Sequence, residues 1–563
     1  LNEAAGGTIS SNRAELNEQR IETFFQNFQA IGKWDKTINK NHKLNLLVGF
    51  SLEDQMNNGI STTVNGFVTN VPILDFGENP QNPLGTKTQR RSLSYFSRIN
   101  YNYKERYLFE ANVRYDGSSR FLQGNRWGMF PSASAGWRIS EEAFFKVAKK
   151  SVTNLKLRTS YGILGNENIY TNYAGYNQLK SDQNYSFENQ VYNALRLYSF
   201  ADKSTTWEKT SQFNVGVDMT FFSKLNATVE YYRKNTYDIL AKVQVSHLVG
   251  ADLLPYQNIG EMRNEGWEIS TSYNDKFGKD FRFSVGANIS GVNNELLKLK
   301  NTSQDYVFND VSSSMFDGYN MIITKVGNPY GSYFGYEVDR IYQLDDFDWQ
   351  NSNDPTIPHG QRQYVLKSGF ATQSEGPRPG DIKFKDLNPD GIINDQDRTI
   401  IGKQIPDLMY SFNMAASWKS ISLSFFFQGV QGVDTYTGGY LVSPFYNSAP
   451  LLDTWLTNRW TFENPSDKYQ RVYLDKTKQK IVSDYYITDA SYLRLKNIEL
   501  SYDFDKKLIS KIKLQKLKLY ASVQNAFLWS SAKSFDPEKL GNVVSSDFHP
   551  QARIYSLGFN IVF

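Results

Sequence analysis

The chain has 563 residues, of which 62 are basic and 58 acidic, for a net charge of +4. That balance, with no basic stripe, gives no footing for nucleic-acid binding, and the absence of cysteine excludes a disulfide scaffold, thiol catalysis and cysteine metal sites. Aromatics reach 15%, with 36 Tyr and 38 Phe, yet mean hydropathy is −0.53; this mixture suits a wall that is apolar outside, aromatic at its rims and polar inside, and equally a carbohydrate-binding protein.

No run of about 18 apolar residues exists, so no transmembrane helix is expected, and a β-barrel is the one way this chain can span a bilayer. The first residues, Leu1–Gly7, lack the basic head and apolar core of a signal peptide. The sequence therefore reads as a mature product or as an internal piece.

The first clear strand alternates Leu44, Leu46, Val48, Phe50 and Leu52 with Asn45, Leu47, Gly49 and Ser51, after a less regular partner around Phe24 to Trp34. A period of two is the strand period. A hairpin follows: Leu93, Tyr95, Ile99, Tyr101 and Tyr103 lead into Lys104–Arg106. The chain returns through Tyr107, Phe109, Ala111, Val113 and Tyr115, with Glu110, Asn112 and Arg114 opposite. Charges in mid-strand between apolar neighbours fit a water-filled lumen and not a packed core.

The pattern recurs at Ala133–Ile139 and Leu155–Tyr161. Phe213–Phe221 turns at Ser223-Lys224 into Leu225–Tyr231, and Trp267–Tyr273 turns through Asp275–Asp280 into Phe281–Ile289. Phe412–Trp418 turns at Lys419-Ser420 into Ile421–Phe425. Leu493 and Leu495 lie in one phase and Ile498, Leu500 and Tyr502 in the other, which predicts a bulge at Lys496–Asn497. Leu517–Val523 precedes a last strand whose face of Tyr555, Leu557, Phe559, Ile561 and Phe563 stays apolar to the end of the sequence.

Short turns (104–106, 223–224, 275–280, 419–420, 504–514) alternate with long excursions at 53–90, 164–210, 236–264, 344–407 and 432–488. Short turns on one side and long loops on the other are the outer-membrane arrangement. Stacked soluble sandwiches have strands of about 5–6 residues and no such alternation. The fold class is therefore all-β, a transmembrane antiparallel β-barrel. Its roughly sixteen strands close as a porin-sized barrel or form the C-terminal part of a larger one.

Several stretches resemble the SusC-like (SusC/RagA) TonB-dependent outer-membrane transporters. They are Thr206–Thr210 with Phe213–Asp218, Tyr231–Leu240, Gly260–Ile269, Gly327–Tyr336, Gly380–Asn388, Phe427–Gly432, Ala490–Asn497, and Asn525 with Phe535–Glu538. The resemblance runs through most of the chain. It implies a barrel of about 22 strands with an N-terminal plug, a TonB-contacting segment and a SusD-like surface lipoprotein capping the extracellular mouth. It also implies active import of glycans, oligosaccharides or peptides. The plug, the TonB box and some of the strands have no counterpart in this sequence, so a plug-bearing N-terminal portion becomes an expected partner.

The sharpest chemical motif is Asp386–Asp397, a D-x-N-x-D-G-x-I-x-x-x-D loop within 344–407. Oxygen ligands at positions 1, 3 and 5 (Asp386, Asn388, Asp390), a Gly at 6 and a carboxylate at 12 (Asp397) can wrap a hard cation. Ile392 offers its carbonyl, and Asn394 acts directly or through water. Asp397 stands where an EF-hand has Glu, and Pro389 is unusual. The expectation is a structural Ca²⁺ site, with Mg²⁺ second, against an Asn-Pro-Asp-Gly turn with solvated carboxylates.

His42, His247, His359 and His549 are scattered, without ligand spacing, and are expected to carry no role. Gly327, Gly331 and Gly335 lack the Lys-Ser/Thr of a phosphate loop and read as strand glycines. The acidic group Asp345, Asp346 and Asp348 is expected to be solvated. Trp349, Tyr436, Tyr440, Phe445, Tyr446 and Trp455 either stack on sugar rings or pack the rim. No covalent chemistry is expected. The rival readings are a passive porin, a barrel-embedded hydrolase, which needs a Ser/His or Asp/His constellation, and a soluble glycan-binding protein.

Overall fold

The structure is a computed structural model that describes residues 15–67, 73–80, 83–169, 171–173, 175–188, 190–242, 256–300, 304–308, 321–349, 356–373, 376–438, 453–473, 481–532, 535–538 and 551–563. His247, His549, Tyr440, Phe445 and Tyr446 lie outside these residues. Among these residues fifteen long strands make one antiparallel sheet. They are β1 (Glu15–Ile38), β2 (His42–Phe67), β3 (Leu84–Tyr103), β4 (Tyr107–Ser118), β5 (Trp127–Arg138), β6 (Val152–Asn166), β7 (Glu208–Phe221) and β8 (Leu225–Lys242). Then come β9 (Tyr256–Phe277), β10 (Phe281–Leu299), β11 (Leu408–Trp418), β12 (Ile421–Gln431), β13 (Tyr492–Asp503), β14 (Lys516–Ser530) and β15 (Ile554–Val562). Neighbours in the sheet are neighbours in this order, and the short strand Gly77–Pro80 pairs with β2 to complete a 16-stranded sheet. The roughly sixteen strands expected from alternation are therefore present.

By contact the chain divides into two units. The first comprises residues 1–137, 159–213 and 236–260, the second 138–158, 214–235 and 261–563. In the first, β1 pairs with β2 along its whole length, from Glu15↔Asn65 to Ile38↔His42. Apolar rows cross the strands, as in Phe50↔Tyr95↔Tyr115↔Met129 and Leu44↔Tyr101↔Phe109↔Ala135. Aromatics gather at two levels: Tyr103 stacks with Tyr107 near the turn, while Tyr95 and Tyr115 stack with Trp127 higher up. Eight residues separate Tyr107 from Tyr115, about 26 Å along the strand, which on a tilted strand matches the apolar band and flanking girdles of an outer-membrane wall.

The long excursions begin as extensions of wall strands. Residues 53–67 continue β2, β3 starts at Leu84, and β8 and β9 run to Lys242 and from Tyr256. Polar residues replace apolar ones on both faces there, so alternation fades while backbone pairing continues. The 164–210 excursion holds a hairpin, Gln178–Phe187 with Gln190–Ser199, and its Ile169 and Trp207 form a core with Phe121 and Phe130.

In the second unit β13 carries the expected bulge: Phe426 pairs with Asn497 and Phe427 with Leu495, so Lys496 is the extra residue. Between β10 and β11, and again between β12 and β13, the chain builds a packed loop region. Ile322–Lys325, Ser332–Tyr336 and Arg398–Gly402 form a small sheet with Tyr306–Phe308, and three further strand pairs surround it. One core gathers Met321, Ile322, Tyr333, Tyr436, Val482 and Tyr486; another gathers Ile341, Ile382, Phe384, Ile393 and Trp460. Gly327 (φ +81°) and Gly331 (φ +69°) occupy the turn before Ser332–Tyr336 and are turn glycines, not strand glycines as expected. Their left-handed backbone is open to Gly at little cost. Gly335 is in the strand, where a Cβ would lie 2.5 Å from the Val482 carbonyl oxygen.

Candidate cation loop and the loop region that carries it

The Asp386–Asp397 loop is folded by its own carboxylates. Asp397 is fully buried. Its Oδ1 accepts the backbone N–H groups of Leu387 (2.8 Å) and Asn388 (3.4 Å), and its Oδ2 accepts that of Asn394 (2.8 Å). Asp386 Oδ2 accepts from the Gly391 N–H at 2.9 Å, and Asp390 Oδ1 from the Ile392 N–H at 2.8 Å. Gly391, at φ +80°, makes the sharp turn that its motif position demands. Asn388 Nδ2 donates to Asp390 Oδ2 at 3.0 Å, and Asn394 Nδ2 donates to the Ile392 carbonyl at 3.3 Å. Thr372 pairs with the loop through Thr372 N–H to Gly391 O and Ile393 N–H to Thr372 O, both 2.9 Å. Ile393 anchors the loop in the core with Ile341, Ile382, Phe384 and Trp460.

All six expected ligands are therefore in one loop, with oxygen donors only. Among the described residues Asp386 Oδ1 is buried without a hydrogen-bond partner, an unsatisfied acceptor within the loop. Asp397 has spent most of its acceptor capacity on backbone amides and acts as the internal clasp. Among the described residues no three His, Cys, Asp or Glu side chains converge as a metal cluster.

The acidic group is not uniformly solvated. Asp346 is buried and takes two 2.6 Å hydrogen bonds from the Arg340 guanidinium plus the Gln343 N–H at 2.8 Å. Burial pushes its pKa up, but Arg340 and the amide outweigh this and hold it below the usual aspartate value. Asp345 offers its carbonyl to Lys367 Nζ. Tyr436 and Trp455 are buried, and the Arg362 guanidinium lies 3.9 Å from the Trp349 ring. For Tyr436 and Trp455 the rim-packing alternative holds. His42 hydrogen-bonds the Tyr101 hydroxyl, and His359 lies among Tyr364, Arg362 and Phe462.

A feature not legible as a site in the sequence is the ion cluster beside β13. Arg494 and Asp536 are joined at 2.5 Å with side chains 3% and 5% exposed. Glu538 lies 3.3 Å from Arg494 and also pairs with Lys496. Asp536 further accepts the N–H groups of Glu538 and Gln551, both at 3.1 Å. The cluster fastens the segment after β14 onto β13. On the polar face of the wall, Arg158 of β6 pairs with Glu230 (2.6 Å) and Asp218 (3.4 Å), a hydrated charge pattern that a lumen permits.

Residues 2–526 match the family described as TonB dependent receptor-like, beta-barrel. The chain belongs to that family. The TonB-dependent receptor P3 of Formosa agariphila is 30% identical over 542 residues, covering 93% of this chain and 51% of that protein. The TonB-dependent receptor SusC of Bacteroides thetaiotaomicron is 29% identical over 489 residues, covering 84% and 44%. Among solved structures, that of the RagAB peptide transporter superposes with a TM-score of 0.77 at 23% identity, covering 97% of this chain and 56% of that one. This chain thus spans about half the length of the curated relatives it matches. It is a SusC-like, TonB-dependent receptor β-barrel of the outer membrane, the fold and location expected from its alternation and motifs. Among the described residues no helix is long and apolar enough to cross a membrane, and in this family strands do the crossing.

Proposed function

We propose that this chain is the wall and part of the extracellular cavity of an active nutrient importer, carrying oligosaccharides or peptides across the outer membrane. The supporting observation is one sheet with a charge-bearing polar face whose loops fold into a packed region with its own cores. A passive porin has no need of loops built this way. The longer relatives leave room for a plug-bearing N-terminal portion, through which TonB would deliver energy, and a SusD-like surface lipoprotein would cap the extracellular side. The chain's own role is to shape and bind, with no covalent step.

The Asp386–Asp397 loop binds structural Ca²⁺, or Mg²⁺ in its place, through Asp386, Asn388, Asp390 and the Ile392 carbonyl, with Asn394 and the remaining lone pair of Asp397 Oδ2 completing the set. The buried, unpartnered Asp386 Oδ1 and the all-oxygen donor set support this. The ion would stiffen the loop on which Ile393 is anchored.

Conductance of the full-length protein in planar bilayers tests transport. An importer with its plug stays closed, and a steady open pore of ohmic conductance would favour the passive channel. Terbium luminescence, competed by Ca²⁺, tests the loop; no signal difference between the native protein and Asp386→Ala would remove the cation from the account.

A further inference from the structure

The short-turn rim of the second unit has a composition that the import function does not use. Five turns follow one another along it, at 139–151, 222–224, 275–281, 419–420 and 503–516. Backbone hydrogen bonds join them into a continuous edge: Phe222 N–H to Ser151 O, Asn274 N–H to Lys224 O, Lys419 N–H to Asp280 O and Asp503 N–H to Ser420 O, at 2.8 to 3.1 Å. These segments carry twelve lysines against six carboxylates. The excess of six exceeds the net charge of the whole chain, +4, so positive charge is concentrated on this edge. Of the carboxylates, Glu141 is paired with Lys149, Asp275 with Lys224, and Asp505 caps the short helix Lys506–Ile509 through the Lys507 N–H. Glu142, Asp280 and Asp503 complete the acidic set. Lys506, Lys507, Lys511, Lys513 and Lys516 are exposed, and among the described residues no ion pair joins them to a carboxylate.

Each turn also exposes large apolar side chains beside its lysines: Phe144 and Val147, Phe222, Phe277, Trp418, and Leu508 with Ile512, all between 56% and 87% exposed. Phe277 and Trp418 continue the apolar rows of β9 and β11. Phe277 stacks on Phe283 at 5.7 Å and 7°, in the row that also holds Phe281. Lys419 Nζ lies 5.4 Å from the Trp418 ring. Leu508 and Ile512 are one helical turn apart, flanked by Lys507 and Lys511.

We infer that this rim binds the anionic glycerophospholipid headgroups of the leaflet on the short-turn side, with the apolar side chains seated at the acyl boundary and the lysines on the phosphates. Paired apolar and lysine residues are the chemistry of an interfacial anchor. An acidic protein partner would match the lysines but would not require apolar residues continuous with the lipid-facing row. The inference rests on the outer-membrane placement of the wall.

The test uses the full-length protein in mixed micelles holding equal phosphatidylglycerol and phosphatidylethanolamine, with retained lipids counted by native mass spectrometry. Phosphatidylglycerol is expected to be retained about tenfold over phosphatidylethanolamine, with the excess shrinking at high salt. Joint substitution Lys506→Gln, Lys507→Gln, Lys511→Gln and Lys513→Gln brings the two lipids towards parity. Leu508→Ser with Ile512→Ser lowers the total retained. Heat-modifiable migration on gels checks that each variant is folded, and bilayer insertion of the native protein is scored separately, so a failure of membrane placement is distinguishable. Parity in the native protein overturns the inference, as does an unchanged excess in the folded quadruple variant or capture of an acidic protein without lipid preference.

Discussion

At the scale of single residues the decisive groups are buried acids that organise backbone or hold a cation side chain. Asp397 satisfies three amides from a fully buried position, and hydrogen bonds to a charged acceptor contribute about 1.5–3 kcal/mol each. Asp397→Ala is therefore expected to unfold the 386–397 loop locally, with amide exchange at Leu387, Asn388 and Asn394 rising by at least about tenfold; unchanged protection would show that Asp397 is not the clasp. Arg494 is in the opposite situation, a cation whose removal strands Asp536 and Glu538 in a site almost closed to water. Arg494→Ala should cost about 3–5 kcal/mol, read as a lower unfolding midpoint in detergent, whereas replacement of the whole cluster by apolar residues should cost less. The spacing of the Asp386–Asp397 oxygens was legible in the sequence because the motif is local. The Arg494 cluster was not: Arg494 and Asp536 are 42 positions apart and meet only when the segment after β14 folds back.

At the scale of elements, alternation located the wall strands, the short turns and the bulge at Lys496, since each is a local consequence of a period of two. It stopped short wherever a strand leaves the bilayer. Met56-Asn57-Asn58-Gly59 has the look of a turn, yet each residue is paired with β1 on one side and β3 on the other, because ladder hydrogen bonds do not need an apolar face. The loop region stayed hidden for a further reason. Its strands are three to five residues long and its cores join residues as distant as Ile322 and Val482. Its acid response follows from Asp346, whose folded pKa is depressed. The ionised Arg340–Asp346 pair contributes fully above the ordinary aspartate value of about 3.9, and that contribution is lost as pH falls through the lower folded value. Near-ultraviolet dichroism of the surrounding aromatics should thus hold steady from pH 7 to about 4 and change below it. Asp346→Asn should give a weakened signal at pH 7 and a flatter acid limb. Gly335→Ala should disrupt the bridge between Tyr336 and Ser483, since its Cβ meets backbone at 2.5 Å.

At the scale of the whole molecule, the two faces of the wall make opposite predictions for the same charge. Leu557 lies on the exposed apolar face of β15 and Ser556 on the other. Leu557→Arg should destabilise the membrane-inserted protein by about 2–4 kcal/mol, as lipid-facing charges do near the midplane, while Ser556→Arg should be nearly neutral; equal costs would contradict the inside–outside assignment. The family and the outer-membrane wall follow from the pattern and the relatives, whereas the importer reading is a proposal that reaches beyond the half of those relatives' length that this chain spans. The measurement that tests it most directly is mass spectrometry of the complex purified from native outer membranes through this polypeptide. Recovery of a plug-bearing portion, in the same chain or beside it, together with a SusD-like lipoprotein in stoichiometric amount is the predicted result. A stable wall recovered with neither would contradict active import and leave a porin-like channel as the better account.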